Sequence, residues 1–249
     1  GYLTQCVQPE PNPRGLSLAK ELQNRGHTVK VLTGFPNYPY GKLYPGYKLA
    51  LKRRENLDGV SVLRVFLYPS HDKSKIKRMI NYFTFSISAA ILGIREFRDC
   101  DVILAYQDPL SYILPVFIFK YILGKRVVID VQDIWPEALY STGMLRNSLL
   151  YKVLERICTL NYNLADAIVV ISNGFKEMLV RRGIKPGKIS VVYNWCVEEE
   201  VFLNANEIDS LPDEDKVIFE KNSDKELIFV FAGNMGKAQG LSSLVDAFK

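Results

Sequence analysis

The chain has 249 residues, of which 48% are hydrophobic and 24% charged; this is globular composition and excludes a disordered, collagen-like or coiled-coil protein. Lys and Arg number 32 against 27 Asp and Glu, a net charge of +5. That balance favours an anionic partner but falls well short of the dense basic field of a nucleic-acid binder, so no nucleic-acid partner is expected. The four cysteines, Cys6, Cys100, Cys158 and Cys196, lie far apart with no CxxC pair and no histidine at ligand spacing. No metal site, no disulfide framework and no cofactor are therefore expected, and the thiols fit a reducing, cytoplasmic compartment.

In chain order, residues 1–5 read as the tail of a strand and residues 14–25 as a helix. Gly26 suits a left-handed C-cap that turns the chain into a strand at 27–33. The loop from Gly34 to Tyr47 is rich in Pro and Tyr and longer than a plain connection needs, which suits carbohydrate or lipid contact. Lys52-Arg53-Arg54 reads either as part of a basic surface or as a solvated face. Short Val/Ile-rich runs at 59–67, 101–106, 126–131, 167–172 and 188–193 then alternate with helical patterns at 74–97, 110–123, 147–165 and 173–182. Nearly all-apolar strands separated by helices predict an α/β chain with a parallel sheet covered on both faces. Ser172 or Asn173 is the expected N-cap of the last of these helices.

Composition turns acidic and polar near residue 198, and a fresh apolar run at 227–232 precedes a Gly-rich turn. A Rossmann-like domain is thus expected over residues 1–200, followed over 201–249 by a linker and the first strand-helix unit of a second such domain. The abrupt ends suggest a piece of a longer protein, trimmed slightly in front and heavily behind.

Three stretches carry chemistry. The turn Gly233-Asn-Met-Gly-Lys-Ala-Gln-Gly240 between a strand and a helix can cradle a phosphate or diphosphate with its backbone N–H groups, or can be a tight turn alone. Val131-Gln-Asp-Ile-Trp-Pro-Glu137 places two carboxylates and an indole just past a strand, at the edge where ligands of such sheets sit. Asp133 and Glu137 can orient or deprotonate a hydroxyl and Trp135 can stack on a sugar ring; an N-cap aspartate beside a buried tryptophan is the plainer alternative. In the helix at 74–97 the basic start Lys73, Lys75, Lys77 and Arg78 precedes sixteen uncharged residues, 79–94. That pattern fits a buried helix or an interfacial one with cations on anionic lipid, and it is too short and too interrupted by serine for a spanning helix. Of the two histidines, His27 sits at the far edge of the sheet and reads as structural, whereas His71 follows a strand at the ligand edge and is a third catalytic candidate.

These stretches resemble the GT-B glycosyltransferases of family 4, in the bacterial branch similar to colanic-acid and L-fucosamine transferases. The likeness rests on Leu32-Thr-Gly-Phe-Pro-Asn-Tyr-Pro-Tyr-Gly-Lys-Leu-Tyr-Pro-Gly46, Lys77-Arg-Met-Ile-Asn-Tyr-Phe-Thr-Phe85, Asp130-Val-Gln-Asp-Ile-Trp-Pro-Glu137 and the Gly233–Gly240 turn, in the family's order. The resemblance implies a retaining transferase moving a sugar from a nucleotide-diphosphate donor to a glycan or lipid-linked acceptor, in surface polysaccharide (capsule or O-antigen) synthesis. The acceptor would bind the N-terminal domain and the donor the C-terminal one. It also implies contact of Arg14 and Gly15 with substrate, a hinge near Asn194, and Gly233, Asn234, Gly236, Gln239 and Gly240 facing the donor diphosphate with Lys237 as a charge partner. Arg78, Trp135 and Asn194 join the substrate-binding set. Many relatives have a histidine where this chain has Gln132, and the family's Glu-x7-Glu donor region would follow residue 249, so the 249 residues alone are expected to turn over no sugar nucleotide. An anionic membrane surface, on the cytoplasmic side of the plasma membrane, completes the expected partners. A GT-B sugar-nucleotide epimerase or hydrolase, and a non-catalytic glycan-binding domain docked on a membrane, are the competing readings.

Overall fold

The computed structural model describes residues 1–12, 14–70, 74–107, 112–141, 146–195, 231, 233 and 239–247. The chain divides into two compact units, Gly1–Asn194 and Trp195–Lys249. In the second, the described residues are Trp195, Phe231, Gly233 and 239–247, the last stretch holding the helix α7 (Leu241–Ala247) and the turn before it. The expected strand at 227–232 lies outside the described residues.

The first unit is an eight-stranded sheet with helices on its faces. In chain order it runs β1 (Tyr2–Leu3), α1 (Gly15–Asn24), β2 (Lys30–Gly34), β3 (Lys52–Leu57), β4 (Val60–Val65), α2 (Lys75–Glu96), β5 (Val102–Gln107) and α3 (Ile113–Tyr121). It continues with β6 (Arg126–Val131), α4 (Glu137–Ser141), α5 (Ser148–Leu164), β7 (Ala167–Val170), α6 (Asn173–Arg181) and β8 (Ile189–Val191). The spatial order is β3-β4-β2-β1-β5-β6-β7-β8, parallel throughout except for the antiparallel pair β3–β4. This is the doubly wound α/β architecture expected from the apolar runs.

Alternation along each strand divides the core between the two faces. Leu3, Leu32, Leu63, Ile103, Ile129 and Ile168 pack under α2, α3, α5 and α6, whereas Tyr2, Val31, Val60 and Val62 pack with Leu16 and Ala19 of α1. Side-chain caps start the helices: Ser74 Oγ accepts from Lys77 N, Asn147 Oδ1 from Leu149 N and Leu150 N, and Ser172 Oγ from Phe175 N. Gly26, at φ +85°, ends α1 as its position implied.

The strand that the apolar-run criterion does not detect is β3, because its sequence, KRRENL, is charged. It is the sheet's edge, where charge blocks pairing with another chain. Lys52, Arg53 and Arg54 are exposed residues of this edge strand, whereas the other basic cluster lies at the start of α2. Arg54 reaches the opposite end of that helix, with Nη1 2.9 Å from Glu96 Oε1, and the buried Arg64 guanidinium pairs with Glu55.

Helix α2 is half-buried. Phe85, Ala89 and Ala90 face the core, while Ile76, Met79, Ile80, Phe83, Ile87 and Ile91 are exposed. Gly93 brings α3 close, since a Cβ there would lie 2.4 Å from Phe119 Cζ. Beside α2, α3 exposes Leu114, Phe117 and Tyr121, with Ile122 exposed at its C-cap, and its neighbour α5 exposes Leu149, Leu150, Val153, Ile157 and Leu160.

Candidate functional site

From β1 the chain winds one way across the sheet to β2 and β4, then from β5 the other way to β8. Strands β1 and β5 are hydrogen-bonded neighbours whose outgoing chains diverge, so a crevice opens at their carboxyl ends. The 4–12 segment, the loop after β2, Gln107 and the 132–137 segment all start from this edge.

Gln107 organises one wall. Its Nε2 donates to the Asp133 carbonyl and to Tyr162 Oη, both at 3.2 Å, and its Oε1 accepts from Tyr112 Oη at 3.3 Å. The backbone at Asp133 is thereby held, while the Asp133 side chain is exposed and has no hydrogen-bond partner among the described residues. It caps no helix. Partial desolvation raises its carboxyl above the ordinary value, the direction that strengthens a base. Trp135 is half-buried against the core, and its indole N–H is buried without a partner among the described residues. Glu137 stands at the start of α4 in an ion pair with the largely buried Arg182, which also donates from Nη1 to the Trp135 carbonyl at 2.7 Å. The three residues of the motif thus differ: one unpaired carboxylate, one packed indole and one carboxylate in an ion pair.

Arg14 and Gly15 sit at the start of α1, on the other face of β6. Arg14 is 3% exposed. Its Nη1 pairs with Asp130 Oδ2 at 2.8 Å, its Nε donates to Asn194 Oδ1 at 3.1 Å and its Nη2 to the Val192 carbonyl at 3.0 Å. Asp130 is fully buried, and Gln132 Nε2 donates to its other oxygen at 2.7 Å. Burial raises the Asp130 carboxyl, against the opposing pull of Arg14 and Gln132. Asn194, itself exposed, therefore acts within the first unit as an acceptor for Arg14. The first amides of α1 are occupied as well: Asn12 Oδ1 accepts from Arg14 N and Gly15 N, and Gln8 Oε1 from Leu16 N, each at 3.0 Å. Gly15 is needed for that closeness, since a Cβ there would lie 2.8 Å from Gln8 Oε1.

Arg78 is half-buried in the first turns of α2. His71, Asn234, Gly236 and Lys237 lie outside the described residues. In the second unit Gly233 has φ +152°, and Gln239 and Gly240 precede α7, with Gly240 at φ +61° accepting from Ser243 N at 3.0 Å. No cluster of potential metal ligands occurs among the described residues. Among the described residues no disulfide involves Cys6, Cys100 or Cys158, and burial pushes the Cys158 thiol up to about 12, far from a reactive thiolate.

Residue-type reasoning passed over Glu10, Asp130 and Arg182. An acid inside the apolar run RVVIDV was the available signal for Asp130, since a lone carboxylate there needs a partner. Glu10 is 1% exposed, and its Oε1 accepts from Asn37 N at 2.7 Å and Tyr38 N at 2.8 Å, tying the first loop to the Tyr-rich loop. Burial pushes its carboxyl up to about 7, against the opposing effect of those two amides.

The profile of Glycosyltransferase Family 4 matches residues 16–199. The chain is 27% identical to the probable glycosyltransferase WbjE of Pseudomonas aeruginosa over 191 residues, 74% of this chain and 45% of WbjE. It is 23% identical to the putative colanic acid biosynthesis glycosyl transferase WcaI of Escherichia coli K12 over 239 residues, 91% of this chain and 55% of WcaI. It thus spans about half the length of these relatives. Among solved structures, Anabaena Alr3699/HepE in complex with UDP-glucose superposes with a TM-score of 0.50 at 15% identity, over 87% of this chain and 49% of HepE. The HepE complex with UDP and glucose gives the same TM-score at 14% identity, and at these identities the likeness concerns the fold. With its doubly wound sheet and a family match running from the first helix past the last strand of that sheet, the chain belongs to glycosyltransferase family 4.

Proposed function

We propose that the protein is a retaining glycosyltransferase that moves a sugar from a nucleotide-diphosphate donor, of the kind HepE binds, to a lipid-linked glycan acceptor in surface polysaccharide synthesis. The family match over residues 16–199 carries this reading. Asp133, the unpaired carboxylate at the crevice, acts on the acceptor hydroxyl. Trp135 offers its ring to the sugar, and Arg78 stands at the basic end of α2 for the acceptor's phosphate. The turn with Gly233, Asn234, Gly236, Lys237, Gln239 and Gly240 holds the donor diphosphate from the second domain. The test is incubation of the full-length protein with radiolabelled UDP-sugars and a lipid-linked glycan extract. Label moving into the lipid-extractable glycan is the expected result. Label released only as free sugar would favour a hydrolase, and no consumption of any donor would overturn the proposal.

The acceptor's lipid requires the enzyme to work at a membrane, and the exposed apolar faces of α2, α3 and α5 support peripheral attachment. No helix among the described residues is long and apolar enough to cross a bilayer. The stripe Ile76, Ile80, Phe83, Ile87 and Ile91 would enter the acyl boundary, with Lys77 and Arg78 near anionic headgroups on the cytoplasmic leaflet. Each basic residue near the surface contributes about 1 kcal/mol, weakening with salt. In liposome flotation the full-length protein is expected to rise with anionic vesicles and to be released by salt. An Ile80→Glu/Phe83→Glu/Ile87→Glu variant is expected to remain at the bottom. Flotation indifferent to anionic lipid, salt and these substitutions would refute the attachment.

A further inference from the structure

At the carboxyl edge of β1, β2 and β4 lies a pocket of about 240 Å³, bordered by the 5–12 loop, the Tyr-rich loop, Ser70 and the second and third turns of α2. Its floor is a chain of buried amides. Gln5 Nε2 donates to Asn81 Oδ1 at 2.6 Å, and Asn81 Nδ2 donates to Asn37 Oδ1 at 3.1 Å and to the Tyr68 carbonyl at 2.7 Å. Asn37 Nδ2 donates to the Phe35 carbonyl at 3.0 Å.

The direction of this chain is dictated from its far end. The Phe35 and Tyr68 carbonyls can only accept, so Asn37 and Asn81 must turn their NH2 groups toward them. Asn81 then presents oxygen to Gln5, Gln5 must answer with nitrogen, and the atom of Gln5 left over is its oxygen. That oxygen is buried without a partner among the described residues, on a side chain only 6% exposed. Ser70 Oγ, on a residue 7% exposed at the rim of the same pocket, is likewise buried and has no partner among the described residues. Buried polar atoms without partners are uncommon, and two lining one cavity mark where a ligand's hydrogen bonds belong.

We infer that this pocket is a subsite for one uncharged, hydroxyl-bearing sugar ring, whose O–H or acetamido N–H donates to Gln5 Oε1 while a second hydroxyl exchanges a hydrogen bond with Ser70 Oγ. The leftover acceptor requires a donor group and rejects a phosphate or carboxylate oxygen. Every described side chain lining the pocket is uncharged, which leaves an anionic ligand no counter-ion there. Tyr82 and Tyr106 add aromatic surface for a ring. The volume lies below the roughly 300–1,000 Å³ of sites for drug-sized ligands, a size for a single ring and not for a nucleotide. That the ring belongs to the acceptor glycan rests on the transferase reading; the subsite itself does not.

Binding of methyl glycosides of glucose, galactose, fucose and N-acetylglucosamine to the full-length protein, by saturation-transfer NMR and calorimetry without donor, tests the assignment. Glucuronic acid and UDP serve as charged controls. At least one neutral glycoside is expected to bind saturably. Ser70→Ala is expected to weaken that binding about 3- to 10-fold with the melting temperature unchanged, because Ser70 Oγ holds no other group among the described residues. Gln5→Met is expected to weaken it further, with its own melting curve recorded to separate unfolding from lost contact. Absence of saturable binding by any neutral glycoside, binding indifferent to both substitutions, or charged ligands whose affinity depends on these two residues would each overturn the subsite. Glycoside binding that depends on Ser70 in a protein transferring no sugar would leave the subsite standing and remove the transferase reading instead.

Discussion

Asp133→Asn in the full-length protein is expected to lower kcat about 100- to 10,000-fold, the usual contribution of a general base, and to leave thermal stability nearly unchanged. The stability expectation follows from the side chain's lack of hydrogen-bond partners among the described residues. The catalytic one follows from placement: a carboxylate just past β6, its own carbonyl held by Gln107 at 3.2 Å, with partial desolvation raising its carboxyl above the ordinary value. In a retaining front-face reaction the departing phosphate is itself a base, which places the effect toward the lower end of that range. Turnover within a few-fold of wild type at saturating substrates would refute the role. His71 would then take precedence over Glu137, because Glu137 is already held by Arg182. A fall in melting temperature of many degrees would instead show that Asp133 is structural.

The second large effect concerns Arg14. Arg14→Met is expected to cost about 3–5 kcal/mol of stability in urea unfolding of the full-length protein, because it strands the Asp130 carboxylate in a site with no exposure. The penalty has a pH signature. Asp130 is raised above its ordinary value when folded, so a proton is held in the folded chain that the unfolded chain has already released, and stability falls as pH rises through that window. Without Arg14 the folded value rises further, so the variant's deficit should be larger at pH 8 than at pH 5. The double variant Arg14→Met/Asp130→Asn should recover part of the loss. If Arg14→Met instead leaves unfolding unchanged and raises the KM for donor or acceptor, the guanidinium serves substrate and not the fold.

Asp133 and Arg14 show how differently sequence and tertiary structure inform a site. The motif from Gln132 to Glu137 was legible because it follows the apolar run 126–131, whose limits coincide with those of β6. A strand buried on both faces leaves a nearly continuous apolar signature, and the residue after it must lie at the sheet's edge. The parallel sheet, the helix caps at Ser172 and Gly26 and the crevice at the carboxyl ends were all accessible by this reasoning. The charged edge strand β3 was not, because its stability comes from pairing with β4 and from contacts such as Arg54–Glu96, 42 residues apart in sequence.

What the tertiary structure decided is which polar groups are already engaged. Arg14 and Asp130 are 116 residues apart, Gln5 and Asn81 are 76 apart, and Glu137 and Arg182 are 45 apart. No local period links such positions; each pair exists because the winding of the sheet brings two loop ends together, and burial then makes an unpaired partner costly. The same holds for the uncharged stretch 79–94, which reads equally well as a core helix or an interfacial one. Only the tertiary structure shows Phe85, Ala89 and Ala90 packed inward, with Ile80, Phe83, Ile87 and Ile91 outward. Apolar character is written in the residue, but whether it is covered depends on which neighbours the fold supplies.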